Sequence, residues 1–168
     1  MMKYKNTIIL INLVFLVLIM TRAVVKKEKT LVNGTLVLLE LAPVDPRSLM
    51  QGDYMRLNYK ISSVWRKKIK NKDKKLSKRG FCVVKLKENG VADVVRFQEN
   101  KTKQNDTEYI IPYTASSRWN INIGAESFFF QEGEGEKYEK GKYGALRIDN
   151  DGNSILVGLY DKDLNEIK

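Results

Sequence analysis

Histidine is missing from the 168 residues, and cysteine occurs once, as Cys82. The first absence excludes Ser-His-Asp and Cys-His nucleophile systems and every His-containing metal site. The second excludes an intrachain disulfide and a thiolate metal cluster, so the fold stands on packing alone. Acids are also scarce, 20 against 30 Lys plus Arg, and the net charge of +10 makes lipid headgroups, nucleic acid and acidic proteins the partners to consider. Hydrophobic residues are not scarce. At 43% of a chain of one domain's length they suffice to bury a core.

Residues 6–25 are mostly apolar, interrupted between Ile8 and Met20 only by Asn12, which is close to the roughly 20 residues a helix needs to cross a bilayer. Lys3 and Lys5 precede the run as a signal peptide's basic region would, but no A-x-A site and no cysteine for lipidation follow it. The expectation is an uncleaved anchor, with a cleaved signal or a buried soluble helix as alternatives. Arg22, Lys26, Lys27 and Lys29 outnumber the two N-terminal lysines, a count that favours a cytoplasmic domain. The signal-like start opposes it, and long downstream domains cross regardless of charge, so the domain is expected outside the cytoplasm.

Nothing between Lys26 and Val32 breaks a helix, and Asn33-Gly34 suits its C-cap, so the anchor is expected to continue as a stalk. Residues 1–29 then form anchor and stalk, and 30–168 a β-rich domain. Strands are expected at 35–41 and 53–61, with one helical turn between them signalled by Asp45-Pro46. Glu88-Asn89-Gly90 between two alternating runs predicts a hairpin of 80–87 with 91–97. Further strands are expected at 108–113, 119–123, 143–148 and 154–160, and a short helix at 135–140. The fold class is mainly β: a small antiparallel domain of about eight short strands on a single N-terminal transmembrane helix.

Several clusters carry chemistry to weigh. Residues 66–79 hold nine cations, Arg66, Lys67, Lys68, Lys70, Lys72, Lys74, Lys75, Lys78 and Arg79, and read as a mobile hairpin loop or ragged helix between neighbouring strands. The segment suits contact with an anionic surface; nucleic acid is disfavoured because only Trp65 supplies an adjacent aromatic. Asp149-Asn150-Asp151-Gly152-Asn153 opens like a calcium loop, but its glycine comes early and its twelfth position is Tyr160, so a β-turn is expected. Glu132, Glu134, Glu136 and Glu139 form the densest acidic cluster; Glu136 and Glu139 suit a helix N-terminus, and paired carboxylates also suit acid-base chemistry. Ser48 lies too close to Gly52-Asp53 for a serine-lysine hydrolase, and no lysine sits in a hydrophobic run. No metal, cofactor or catalytic residue is assigned.

Gly52-Asp53-Tyr54-Met55-Arg56-Leu57-Asn58-Tyr59 carries a letter-for-letter motif. It resembles the motif for which the GDYXXLXY family of bacterial membrane-associated proteins is named. Asp45-Pro46-Arg47 upstream, and Glu132-Gly133-Glu134-Gly135 with Glu139 downstream, resemble further elements of that family. The resemblance implies a small envelope protein beside a polytopic membrane partner, and it carries no biochemical activity over. By alternation alone, the motif strand buries Leu57 and Tyr59 and leaves Tyr54 at a surface, while Gly52 and Asp53 shape the turn before it. Arg47, Gly52, Asp53, Tyr54, Leu57 and Tyr59 are therefore the candidate partner-binding segment. The functional expectation is a membrane-anchored, non-enzymatic β-domain that binds or assists an envelope or membrane protein. The alternative is a carboxylate-dependent hydrolase using Glu132, Glu134 or Glu139.

Overall fold

The computed structural model describes residues 4–42, 54–70, 77–117 and 120–168. The chain begins with helix α1 (Lys5–Asn33), long and apolar enough to cross a membrane, with its side chains exposed along the apolar stretch. Asn12 and Thr21 satisfy their polar groups within the helix, donating to the Ile8 and Val17 carbonyls four residues back. The apolar run and residues 26–33 form one continuous helix, as the missing breakers predict. It ends at Gly34, which is extended (φ −68°) and donates its N–H to the Thr30 carbonyl at 2.9 Å. A Cβ on Gly34 would run into that carbonyl oxygen, so close approach, and not a left-handed turn, demands glycine there.

Among the described residues nine antiparallel strands follow: β1 (Thr35–Glu40), β2 (Tyr54–Arg56), β3 (Arg79–Leu86), β4 (Ala92–Gln98), β5 (Glu108–Ala115), β6 (Ile121–Asn122), β7 (Ser127–Phe129), β8 (Tyr143–Ile148) and β9 (Ser154–Tyr160). They form open sheets of order β1-β8-β9 and β4-β3-β5-β6 and a two-stranded ribbon β2-β7. The β3–β4 hairpin turns at Asn89-Gly90, with Gly90 at φ +79°, and the β8–β9 hairpin turns through residues 149–153, with Gly152 at φ +71°. Leu38 N–H donates to the Gly90 carbonyl at 3.1 Å, which ties the first sheet to the turn of the second.

Two expectations are corrected. Residues 53–61 do not form one strand. Extended pairing ends with Leu41 opposite Tyr59, and helix α2 (Ile61–Lys70) begins as the Ser62 and Ser63 amides donate to the Tyr59 and Lys60 carbonyls. Of the cations in 66–79, Arg66, Lys67, Lys68 and Lys70 end α2, which is the helix alternative and not the hairpin loop; Arg79 opens β3, and β2 and β3 lie in different sheets, so the segment does not join neighbouring strands. Lys72, Lys74 and Lys75 lie outside the described residues. Cations in the last turn of a helix meet the negative end of its dipole, a structural reason for their place.

One main core joins both sheets and α2. Its largest fully buried side chain is Trp65, whose ring meets Phe97 at 5.2 Å and Tyr113 at 5.0 Å between centroids, both edge-on. Burying each large apolar side chain of this kind stabilises the fold by about 1.5–3 kcal/mol. Cys82 of β3 is buried in the same core, and burial pushes its thiol above the ordinary cysteine range, so it packs as a small hydrophobe.

Candidate functional site

The motif strand pairs with β7 through Tyr54–Arg56 and then reaches the end of β1, where Tyr59 bridges Leu41. Tyr54 pairs with Phe129, Met55 with Phe128 and Arg56 with Ser127, and the Leu57 N–H donates to the Glu126 carbonyl at 2.7 Å. Alternation does the rest. Met55, Leu57 and Tyr59 are buried, while Tyr54 and Arg56 face outward. Burial pushes the Tyr59 hydroxyl far above the ordinary tyrosine range, and it donates to the Ala125 carbonyl at 2.7 Å. Leu57 and Tyr59 thus hold the strand in place from beneath.

The turn that receives the strand is built by Glu126, whose carboxylate accepts the Ile123 and Gly124 N–H groups, with Gly124 at φ +81°. Ser62 of α2 donates to the Ile121 carbonyl at 3.3 Å, fixing the same segment from its other end.

On the outer face, Tyr54 is 36% exposed and Phe129 74% exposed, with ring centroids 5.7 Å apart. Phe128 and Phe130 on either side pack against Tyr138, which aims Phe129 alone at solvent. Sequence reasoning missed β7 and Phe129; the run Phe128-Phe129-Phe130 was the available signal, because alternation forces one of three consecutive aromatics outward.

The second motif meets the first. A cleft of about 530 Å³ is lined by Met55, Arg56, Leu57 and Asn58 on one side and by Tyr138, Glu139 and Lys142 on the other. Helix α3 (Gly135–Tyr138) has Glu136 in its first turn, as expected, but Glu139 stands at its C-terminal end, against the expectation of an N-terminal place. Gly133 occupies the left-handed region (φ +86°), Glu132 is exposed, and Glu134 pairs with Lys137 at 3.1 Å. Among the described residues no three His, Cys, Asp or Glu side chains come together as metal ligands. Arg47, Ser48, Gly52 and Asp53 lie outside the described residues.

A family model described as "GDYXXLXY protein" matches residues 16–159. The chain belongs to that family. The GDYXXLXY match opens inside α1 and runs to the last sheet strand, so it takes in the motif strand, the acidic second motif and the closing hairpin together. No curated protein and no solved structure matches the chain.

In these terms the GDYXXLXY letters divide by role. The Leu and second Tyr positions, Leu57 and Tyr59, are core; the first Tyr, Tyr54, is surface and stacks on an aromatic the motif does not contain.

Proposed function

We propose that the protein is a membrane-tethered, non-enzymatic β-domain that docks a segment of another envelope or membrane protein on its β2–β7 ribbon, outside the cytoplasm. The observation that carries this reading is the Tyr54–Phe129 pair, two aromatics side by side on the outer face of a two-stranded ribbon with Arg56 next to them. Tyrosine, other aromatics and arginine are the side chains that anchor interfaces, whereas a fold gains nothing from leaving a phenylalanine in water. Among the described residues no further strand pairs with this ribbon, and an unpaired strand edge is what an extended partner segment adds to. A polytopic membrane protein with an exposed loop is the partner that fits a domain held close to a bilayer by α1.

Photo-crosslinking in intact membranes tests the reading. A photoreactive residue at Phe129 should capture one discrete membrane protein, and Tyr54→Ser should remove that product. The same residue at Lys101 should not capture it. Identical products at both positions would overturn the proposal. A C-terminal reporter active only in the cytoplasm would overturn the side of the membrane.

A further inference from the structure

A groove of about 680 Å³ runs where α1 meets the domain, within the size range of small-ligand sites. One wall is the helix face from Leu18 to Asn33, which includes Arg22, Val25, Lys26 and Lys29; the other is Thr35 and the turn at Asp149–Asp151. At about 100° per residue, Arg22, Lys26 and Lys29 fall within about 60° of one another around the helix, with Leu18 on the same stripe. The groove is therefore apolar at its membrane end and cationic at its domain end.

The acids of the turn have partners of their own. Asp149 accepts from the Thr30 hydroxyl at 2.7 Å and from the Asn153 backbone and side-chain N–H groups, both at 2.8 Å, while Asp151 faces Lys101 at 3.8 Å. Arg22, Lys26 and Lys29 have no ion-pair partner among the described residues. The groove also stands at a defined depth. A smaller cleft on the neighbouring helix face brings Ala23, Lys26 and Lys27 against Gly124, Asn153 and Ile155, so domain loops reach the level at which the apolar run ends. That level is the headgroup zone of any bilayer the helix crosses.

We infer that this groove is a site for one anionic phospholipid, its phosphodiester held by Arg22, Lys26 and Lys29 and the first part of its acyl chains lying along Leu18 and Val25. The inference rests on the reading that α1 spans a bilayer. It moves the anionic-lipid contact from the cations of 66–79 to the foot of the domain, because here three cations without an ion-pair partner among the described residues line a groove on the long apolar helix.

The test uses the full chain in nanodiscs of phosphatidylcholine with a minority of phosphatidylglycerol, with a photoreactive residue replacing Asn150. Labelling should strongly favour phosphatidylglycerol. The triple variant R22Q/K26Q/K29Q should lower it by at least about fivefold, the factor that even one cation near an anionic surface contributes. The triple variant R66Q/K67Q/K70Q on α2 should leave it unchanged. Equal labelling of both lipids, indifference to the first variant, or a crosslink to a second copy of the chain overturns the site. A chain that does not co-elute with the nanodiscs overturns the spanning helix instead, so the two failures are distinguishable.

Discussion

The edge of the Tyr59 ring lies against Gly144 of β8: a Cβ at Gly144 would stand 2.9 Å from both Cε1 and the hydroxyl oxygen of Tyr59. The last letter of the motif thus keys into a vacancy that only glycine leaves, and its hydroxyl reaches past it to the Ala125 carbonyl. Gly144→Ala is expected to cost about 1–3 kcal/mol by overpacking. Because the cost arises from one contact, it should shrink in a Tyr59→Ala background, with a coupling of about 0.5–3 kcal/mol in a double-mutant cycle of denaturant melts. Additive effects would show that Gly144 is needed for some other reason.

Trp65 supplies a second prediction. Its Nε1 is buried without a hydrogen-bond partner among the described residues, so the ring contributes by packing. Trp65→Ala should cost about 3–5 kcal/mol, whereas Trp65→Phe keeps the edge-on contacts, removes the unpaired donor and should cost clearly less. Thermal melts of the full chain in detergent compare the two, and equal losses would refute the packing account.

Acid should unfold the β3–β4–β5 sheet through Glu108. Arg96 grips its carboxylate with two hydrogen bonds of 2.6 and 2.8 Å, and the Gln104 N–H adds a third, which together hold the Glu108 pKa down at about 2. A depressed carboxylate stabilises the fold above its unfolded value near 4.5 and loses that contribution as pH falls toward 2. Stability measured from pH 6 down to about pH 2 should therefore drop, and Glu108→Gln should flatten that drop while lowering stability at neutral pH. An unchanged slope in Glu108→Gln would assign acid sensitivity elsewhere.

Charge changes and deletion in the basic segment should part company. Glutamine at Lys67 and Lys70 should shift stability by no more than about 0.5 kcal/mol, since both side chains are exposed. Deleting 66–79 should unfold the domain, because it removes half-buried Ile69 and the second half of the helix that presents Trp65. Circular dichroism of both variants decides it; a folded deletion would restore the loop reading.

Both hairpins were legible because each is written in adjacent letters: a glycine that tolerates positive φ sits between two alternating runs. The surface place of Tyr54 and the burial of Leu57 and Tyr59 were legible for the same reason, since strand alternation is a local rule. The helix α2 was hidden by its composition. Ile61, Trp65 and Ile69 recur at four-residue spacing, a helical stripe, but the dense lysines among them left the segment reading as a loop or ragged helix that starts at Arg66 and not at Ile61. The pairing of β2 with β7 had no local signal at all, because the partner strands are joined through 70 residues of other structure and β7 spans only three positions. The acidic second motif was located, but its junction with the first across one cleft is a product of that long-range pairing.

Two bonds weld the anchor to the domain. Thr30, 1% exposed, ties α1 to Asp149, and the Arg147 guanidinium donates to the Gly34 carbonyl at 2.8 Å, so the helix enters the sheet without a swivel. Any turn of α1 about its own axis, as when it repacks against a neighbouring span, must then swing Phe129 through the same angle. Were α1 to cross a bilayer and the β2–β7 ribbon to dock a partner, the compass bearing of that partner's approach would be set inside the membrane, by whatever the helix leans on.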